Sequence, residues 1–389
     1  MTTIPRRARV GVWFVGARGS VATTATVGTL AVQSGLAGHT GLVSELPEVA
    51  RARLPQLTEL LIGGHDISTE SLPKRAEELA AGGVFPAALP RALSTELDEV
   101  DQRLRPGAWE GERTQGEYAR ILESDLREFR DCHGLERVVV VDVSSTEPPV
   151  EESPALRSLA SLEAALGRGE APLPSSSLYA YAAYRAGCPV VAFTPSSGPR
   201  PPALVELAGQ HGLPWAGSDG KTGETLLKSV LAPMFATRAL RVRSWASYNL
   251  LGGGDGRTLA DPDTVTSKTA SKGAGLTSML GDDVGGPLHI DYVEDLGDWK
   301  TAWDHVSFEG FLGVKMSLQL TWAGCDSALA APLVLDLARL VARAHEVGES
   351  GPLTPLGFFF KDPAGSDEHR LAQQWQRLTD WCAELEAAR

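Results

Sequence analysis

The sequence predicts an α/β protein: a doubly wound parallel sheet with a second, α+β domain inserted after it. Residues 10–15 form an unbroken apolar run, the composition of a strand that is buried on both faces. A glycine-containing turn follows, and then small residues at 23–32 that favour a helix. Similar apolar runs recur at 138–141 and 190–193, with helical stretches such as 178–186 beside them. Strands that alternate with helices in this way are typical of a parallel sheet.

The region after Leu240 has a different character. Trp245, Tyr248 and two alternating segments, at 289–293 and 314–320, indicate a second sheet that is antiparallel or mixed. Apolar residues at helical spacing then predict two core-facing helices, one with Leu333, Leu337, Leu340 and Val341, the other with Leu371, Trp375, Leu378 and Cys382. We expect both helices to return to the first domain.

These patterns divide the chain into three parts. Residues 8–241 are predicted to form the first domain, 242–327 the second, and 328–389 the returning helices. Within the first domain, glycines and charges at 105–118 and a Pro, Glu and Ser-rich stretch at 146–177 predict irregular surface excursions.

The composition is that of a globular protein long enough for two domains. Of the 389 residues, 43% are hydrophobic and 22% charged. The four cysteines are widely spaced, which argues against a disulfide framework or a zinc ribbon and favours a reducing cytosol. Arg6, Arg7 and Arg9 precede an apolar run too short for a signal peptide. No stretch approaches the roughly 18 apolar residues of a membrane helix, so we expect a cytoplasmic protein.

The distribution of charge points to acid–base chemistry. A net charge of −13 disfavours nucleic acid and anionic membranes as partners, so an anionic ligand needs a local positive cluster. Only eight lysines occur, and seven lie between residues 221 and 361. Burial or a neighbouring cation can lower the pKa of lysine enough for it to transfer protons, whereas arginine stays charged. Lys74, Lys228 and Lys315 are interpreted as ordinary surface residues.

A glycine-containing loop joins the first strand to the first helix: Gly16, Ala17, Arg18, Gly19 and Ser20. Backbone N–H groups and a helix N-terminus in this position can bind the diphosphate of a dinucleotide. The loop departs from G-x-G-x-x-G, and a tight turn without a ligand would have the same residues. A ribose-binding acid is expected near the end of the second strand, where Glu45 and Asp66 are both candidates.

Three of the clustered lysines have unusual neighbours. Lys221 lies in a small-residue loop, 217–225, that is suited to hold a phosphate through N–H groups and hydroxyls. It is not a Walker loop, because Trp215 stands where the first glycine is required. Lys268 and Lys272 are one helical turn apart, so they face the same way if this segment is helical, and like charges this close lower each other's pKa.

Several motifs follow one another in a fixed order, at 15–19, 143–148, 217–225, 247–256, 267–272, 297–300, 326–327 and 360–361. This series resembles the inositol-1-phosphate synthase family from about residue 8 to the C-terminus, and the shorter archaeal-type branch is the closer match. The resemblance implies a Rossmann-like NAD-binding domain and an inserted α+β domain that carries catalytic residues and forms a homotetramer through its sheet.

The resemblance also assigns residues to the site. The family's catalytic residues fall on Lys268, Lys272, Lys300, Lys361, Asp219, Asp255 and Asp326. Its phosphate-binding loop falls on Lys221, Thr222, Gly223, Glu224 and Thr225, and its cofactor contacts fall on Gly16, Ala17, Arg18, Gly19, Ser20, Asp66, Ser144, Thr146 and Ser177. The chain departs from many relatives at Leu250, Gly253, Gly254, Trp299 and Trp303.

The implied reaction takes hydride from carbon 5 of glucose 6-phosphate to NAD, closes the ring by attack of carbon 6 on the carbon 1 aldehyde, and returns the hydride. Amines would transfer protons and stabilise the enolate. The hypothesis places Lys268 at oxygen 5, Lys272 and Lys300 between phosphate and enolate, and Lys361 at the aldehyde oxygen. Asp255 and Asp326 would orient the amines, and the substrate phosphate is an alternative base for the carbon 6 proton.

Three alternatives stay open. The same chemistry on fructose 6-phosphate would give a five-membered cyclitol phosphate. A net NAD-dependent dehydrogenase would release NADH, and a non-catalytic NAD sensor would need none of the lysines. A divalent cation is required by some members of the family and not by others, and the eight histidines here form no recognisable ligand pair.

Overall fold

The eleven strands of the described residues form two separate sheets. The computed structural model describes residues 9–108, 113–148, 153–252, 279–280 and 284–388. The strands are β1 (Val10–Val15), β2 (Leu60–Asp66), β3 (Leu104–Pro106), β4 (Arg137–Asp142), β5 (Val190–Ala192), β6 (Pro214–Gly217), β7 (Arg241–Leu251), β8 (Leu288–Tyr292), β9 (Trp299–Glu309), β10 (Lys315–Cys325) and β11 (Gly351–Pro352).

Twelve α-helices lie within the same described ranges. They are α1 (Ser20–Gln33), α2 (Pro47–Ala50), α3 (Leu72–Ala81), α4 (Leu89–Ala92), α5 (Ser94–Asp101), α6 (Gln115–His133), α7 (Leu159–Gly167), α8 (Ser175–Arg185), α9 (Pro202–Gln210), α10 (Glu224–Thr237), α11 (Asp326–Glu346) and α12 (Leu371–Ala387).

The first sheet has seven parallel strands in the order β11-β6-β5-β4-β1-β2-β3, with helices on both faces. Successive side chains of a strand point to opposite faces, so Val12 joins the core beneath α1 and α11, whereas Trp13 joins the core beneath α6 and α8. Burial on both faces explains the unbroken apolar run in β1. The predicted doubly wound α/β sheet is confirmed.

The second sheet has four strands in the order β10-β9-β7-β8. β9 is antiparallel to β7 and β10, and β8 is parallel to β7, so the prediction of an antiparallel or mixed sheet is confirmed as mixed. Its inner face packs on α10 through Phe235, Trp245 and Val306. Its outer face leaves Tyr248 and Trp303 partly exposed to solvent.

The two predicted core-facing helices return to the first sheet. Val334, Leu337 and Leu340 of α11 are buried in the same core as α1, and Leu378 of α12 joins them. Although α11 has 21 residues, neither it nor any other helix in the described ranges is apolar enough over its length to cross a bilayer. The domain boundaries at 241/242 and 327/328 stay predictions.

Both segments expected to be irregular contain helices, so those predictions were wrong in part. Residues 105–118 include the start of α6, where Thr114 and Glu117 form a reciprocal capping box. This T-x-x-E pattern is a recognisable helix start in the sequence. Residues 146–177 include α7, which begins after the cap residue Ser158 and buries Leu159 and Leu162.

Candidate active site

A cavity of about 370 Å³ lies at the carboxyl ends of the parallel strands, where the first sheet faces the second. The strand order reverses between β1 and β4, and ligands of open α/β sheets bind at such a point. Segments that follow β1, β4, β5 and β6 line one side, and the second sheet and α11 line the other. Polar lining residues include Ser20, Arg75, Ser144, Thr146, Asp219, Thr222, Glu224, Thr225, Asn249, Asp298, Lys300, Asp326 and Lys361.

The loop between β1 and α1 has the geometry of a dinucleotide-binding turn. Gly16 has φ +83°, and a Cβ there would lie 3.0 Å from Cα of Ser144, so a side chain would be strained and crowded. Gly19 and Ser20 line the cavity at the N-terminus of α1. None of the described side chains caps this helix, and its first turn has no acidic residue, which leaves its N–H groups directed at the cavity.

Of the two acids considered for the ribose, Asp66 lies beside this loop and Glu45 does not. Asp66 ends β2, and its carboxylate accepts hydrogen bonds from the backbone N–H of Arg18 at 2.6 Å and of Ser68 at 2.7 Å. Neither acid is among the residues that line the cavity, but Glu45 also lies well before β2, away from the loop, and pairs with Arg339 at 2.6 Å. The geometry therefore favours Asp66 as the acid near the cofactor.

Besides Ser20, three hydroxyl residues were predicted to contact the cofactor, and two of these line the cavity. These are Ser144 and Thr146, in the segment after β4. Ser144 donates through its N–H and its hydroxyl to Oδ1 of Asp142, at 3.0 and 2.6 Å. Burial raises the pKa of Asp142 to about 6. Ser177 is not among the lining residues, because it is buried in α8 and its hydroxyl donates to the carbonyl of Gly198.

Asp219 and Lys361 meet because two distant segments pair. The chain after β6 exchanges backbone hydrogen bonds with residues 359–364, including Lys361 N–H to the carbonyl of Asp219 at 2.7 Å. This pairing brings the amino group of Lys361 to 2.7 Å from Oδ1 of Asp219. Asp219 has φ +61°, a left-handed conformation that non-glycine residues adopt mainly where surrounding structure enforces it. Both side chains line the cavity.

Lys300 and Asp326 form a second pair of the same kind. Lys300 lies at the start of β9 and Asp326 at the start of α11, and their side chains are 2.5 Å apart. The hydroxyl of Thr222 also donates to Oδ1 of Asp326, at 3.2 Å. A Cβ on Gly223 would lie 3.2 Å from Nζ of Lys300, so the amine sits directly above the predicted phosphate loop. Two amine–carboxylate pairs thus face one cavity.

Lys221 is the member of the phosphate loop whose side chain does not reach the cavity. Its backbone N–H pairs with the carbonyl of Phe359, which turns the side chain towards the C-terminal helix. There Nζ donates to Oε1 of Gln374 at 2.5 Å. Burial lowers the pKa of this amine to about 7. Thr222, Gly223, Glu224 and Thr225 all line the cavity.

The interpretation of Lys228 as a surface residue was wrong. Lys74 and Lys315 are exposed, as predicted, but Lys228 is only 8% exposed and lies between α10 and the second sheet. It pairs with Glu224, one helical turn earlier, and donates to the hydroxyl of Ser247. Lysine spacing alone does not reveal which face of a helix a partner will cover.

Three predicted catalytic residues, Lys268, Lys272 and Asp255, lie outside the described residues. So do Gly253 and Gly254 among the departures from the family pattern. Of the remaining departures, Trp299 lines the cavity. Leu250 and Trp303 lie instead on the outer face of the second sheet.

Several cavity residues were missed by sequence reasoning, and three of them have polar side chains that bear on the site: Arg75, Asn249 and Asp298. Arg75, on α3, donates to the hydroxyl of Ser20 at 2.9 Å. Asp298 accepts a hydrogen bond from Ser327, and Asn249 is 3% exposed with no partner for its amide nitrogen among the described residues. Asn249 and Asp298 belong to the ordered motifs and could have been found there, whereas no signal marks Arg75.

The described residues contain no cluster of side chains that could bind a metal ion. No three His, Cys, Asp or Glu side chains of the described residues come together in a way that could hold a metal ion.

The fold and the cavity define a dinucleotide-binding α/β protein whose nucleotide loop opens onto a site of paired lysines and aspartates. A family model for NAD-binding myo-inositol-1-phosphate synthases matches residues 10–383, and the chain belongs to that family. Inositol-3-phosphate synthase 1 of Bacteroides thetaiotaomicron is 34% identical, over 96% of this chain and 95% of its own.

Two solved structures share the fold. Inositol-3-phosphate synthase of Caenorhabditis elegans has a TM-score of 0.88 at 23% identity, covering 99% of this chain and 87% of its own. A myo-inositol-1-phosphate synthase-related protein of Thermotoga maritima has a TM-score of 0.79 at 23% identity, covering 96% of this chain and 98% of its own.

Proposed function

We propose that this protein converts glucose 6-phosphate to inositol 1-phosphate, with NAD consumed and regenerated in each turnover. One observation carries the proposal: a single cavity joins the dinucleotide loop, the N-terminus of α10 and two amine–carboxylate pairs, Lys300 with Asp326 and Lys361 with Asp219. A reaction that oxidises, deprotonates and reduces one phosphorylated sugar needs these three elements together.

The loop fits the diphosphate of NAD. Gly16 has no room for a side chain, and the N-terminus of α1 faces the cavity without a cap from any described side chain. The loop 16–20 would hold the diphosphate, Asp66 the ribose, and Ser144 and Thr146 the nicotinamide end. When bound there, NAD supplies a hydride acceptor for carbon 5 of the sugar and later a donor to the same carbon. Ser177 is proposed to support this site from behind, through its bond to Gly198.

The substrate phosphate is assigned to the N-terminus of α10. Thr222, Gly223 and Thr225 line the cavity there, and hydroxyls, N–H groups and the positive end of the helix dipole all favour a phosphate. The amine of Lys300 lies above Gly223, so it can contact both the phosphate and the neighbouring carbon 6 of the sugar. Lys221 is proposed to support this loop indirectly, through its bond to Gln374.

The amines handle the protons and the negative charge. Lys300, held by Asp326, would stabilise the enolate that forms when carbon 6 gives its proton to a neutral amine or, alternatively, to the substrate phosphate. Lys361, held by Asp219, would donate a proton to the carbon 1 oxygen as the ring closes. Lys268, Lys272 and Asp255 keep the roles that the resemblance implies, with Lys268 as the acid and base at oxygen 5. Because the hydride returns to carbon 5, the net change is an isomerisation.

We propose that the outer face of the second sheet forms the contact in a homotetramer. The ring of Tyr248 stacks on His289 at 4.8 Å and contacts Trp303 at 5.7 Å, and this aromatic group is partly exposed. Exposed aromatic clusters on a sheet face are typical of protein interfaces. Light scattering on the purified protein measures the mass, and a monomeric mass would contradict this assignment.

The function is tested in two separate reactions, each with the purified protein and NAD. One contains glucose 6-phosphate and the other fructose 6-phosphate. Nuclear magnetic resonance then identifies the ring of any product. An inositol phosphate from glucose 6-phosphate, with no net NADH, is the expected result. A five-membered cyclitol phosphate formed from fructose 6-phosphate would mean that the chemistry is as proposed but the substrate is different. Trp299, a departure from the family pattern that lies in the cavity wall, is the residue that favours this alternative substrate. Accumulated NADH, or no product from either sugar, would overturn the proposal.

A further inference from the structure

Lys228 sits in a buried polar network beneath the first turn of α10. Its amino group pairs with Glu224 and donates to the hydroxyl of Ser247 at 3.0 Å. That hydroxyl donates to Oδ1 of Asp304 at 2.5 Å, and the indole N–H of Trp245 donates to the same oxygen at 2.8 Å. The network therefore links α10 to β7 and β9 of the second sheet.

The network contains one cation and two carboxylates, all of them largely shielded from water. Glu224 is 4% exposed and Asp304 1%. The Lys228 nitrogen is 3.9 Å from Asp304. Burial and the nearby Glu224 raise the pKa of Asp304. Because a buried charge without a partner is costly, the pairing with Lys228 stabilises the carboxylate of Glu224.

Glu224 is also part of the cavity wall. It is the first residue of α10, next to Thr222 and Gly223, at the end of the cavity assigned to the phosphate. A carboxylate in this place repels a phosphate dianion unless a cation neutralises it. An acidic residue in a predicted phosphate loop thus needs a compensating charge, and Lys228 is within contact of it.

Asn249 gives a second observation at the same place. It follows Ser247 by two residues on β7, so both side chains are on the inner face of the sheet. Ser247 is committed to the network, whereas the amide nitrogen of Asn249 has no partner among the described residues and the side chain lines the cavity. A buried amide donor without a partner is suited to an oxyanion of a ligand.

We propose that Lys228 is a positioning residue for the substrate phosphate, which holds and neutralises Glu224 so that the N-terminus of α10 and Asn249 can receive a phosphate ester. This role rests on the proposed function for its choice of ligand. Lys228 does not itself line the cavity, and it acts through Glu224.

The test compares Lys228→Met, Glu224→Gln and the double variant with the wild type. Calorimetry measures the affinity for inorganic phosphate, and steady-state kinetics separate KM from kcat for the sugar phosphate. Lys228→Met is expected to weaken phosphate binding and raise KM by about tenfold or more, with a smaller effect on kcat and no change in NAD affinity. Glu224→Gln is expected to bind phosphate several-fold more tightly, because the variant removes a negative charge from the cavity wall while Lys228 keeps its positive charge.

The double variant decides between neutralisation and a purely structural role. Since a neutral amide needs no counterion, adding Glu224→Gln to Lys228→Met is expected to restore most of the lost phosphate affinity. Lys315→Met, an exposed lysine, is the matched control and is expected to match the wild type. Wild-type affinity in Lys228→Met, or no restoration in the double variant, would overturn the proposal.

The outcomes below separate the role of Lys228 from a folding defect and from the proposed function. If Lys228→Met does not fold, Glu224→Gln alone still tests the idea, because weaker phosphate binding in that variant contradicts it. A wild type that binds phosphate but forms no cyclitol would refute the proposed function while leaving the role of Lys228 to be judged from phosphate affinity. If the wild type forms the cyclitol and Lys228→Met binds phosphate as tightly as the wild type, only the role of Lys228 is refuted.

Discussion

The amino nitrogen of Lys361 lies 2.7 Å from a carboxylate oxygen of Asp219, although the two residues are 142 positions apart. Backbone pairing between the segment after β6 and residues 359–364 makes this contact possible. The carboxylate therefore sets the position of the amine that faces the cavity. Removing the amine tests the proposed chemistry most directly.

Lys361→Ala is expected to lower kcat by about 100- to 10,000-fold, the usual range for loss of a positioned proton donor. The affinity for NAD should change little, because Lys361 pairs with Asp219 and is not part of the dinucleotide loop. Product formation followed by phosphorus magnetic resonance gives kcat, and Lys315→Ala serves as the exposed-lysine control. Near-normal turnover in Lys361→Ala would refute its role at the carbon 1 oxygen.

Asp66→Ala is expected to weaken NAD binding by about 10- to 100-fold, through loss of a charged hydrogen-bond acceptor for the ribose and of the contact that orders Arg18. Glu45→Ala is the matched control, because Glu45 pairs with Arg339 away from the cavity. Titration calorimetry with NAD measures both. An equal loss of affinity in the two variants would contradict the assignment of Asp66.

Gly220→Ala is expected to destabilise the protein by about 1–3 kcal/mol, because a Cβ would lie 2.2 Å from the ring of Phe193. Gly28→Ala is the matched comparison, since a Cβ at Gly28 meets nothing within 4 Å. In the interior of α1 that substitution should instead stabilise by about 0.5–1 kcal/mol. Thermal melting measures both changes, and equal shifts of the same sign would show that crowding at Phe193 is not the cause.

Lys221 is expected to make stability depend on pH above neutrality. Below pH 7 its amine is charged in both the folded and the unfolded chain, and the cost of burying that charge is fully present. Between pH 7 and the ordinary lysine value of 10.5, the unfolded chain keeps a proton that the folded protein has released, so folding becomes more favourable as pH rises.

The free energy of unfolding of the wild type should therefore rise relative to Lys221→Met over this range, by up to about 1.4 kcal/mol per pH unit. Denaturant titrations at several pH values measure the difference. Lys315→Met should show a difference from the wild type that does not vary with pH. A difference that is also constant for Lys221→Met would mean that the buried amine keeps its proton.

Local patterns in the sequence were sufficient for the first sheet and its nucleotide loop. The apolar run in β1 is long enough to specify a strand buried on both faces, and Gly16 marks the turn that only a small residue can occupy. The ordered motifs likewise led to Lys300, Lys361, Asp219 and Asp326. The strand and the meeting of these four side chains at one cavity could be predicted because they depend on neighbours close in the chain or on a whole series of motifs, whereas the catalytic roles of the four residues stay predictions.

Side-chain direction was harder to predict, because it depends on partners that are distant in sequence. Lys221 belongs to the phosphate loop by motif, yet its amine binds Gln374, 153 residues later. Lys228 was interpreted as exposed, yet β7 and β9 cover it. Glu45 has the right spacing for a ribose acid, but it lies in a short helical turn. β2 begins only at Leu60, so Glu45 is not at the end of the second strand.

The course of α11 ties the chemistry of the cavity to the integrity of the first sheet. Its first residue, Asp326, holds Lys300, and ten residues later Asp336 accepts the backbone N–H groups of Val43 and Ser44 from within the core. A gene fragment that ended before this helix would lack both the counterion of the amine and the cover of the nucleotide-binding sheet. The nucleotide-binding half is therefore not one continuous stretch of the chain, because its sheet is covered by a helix that is encoded after the second sheet.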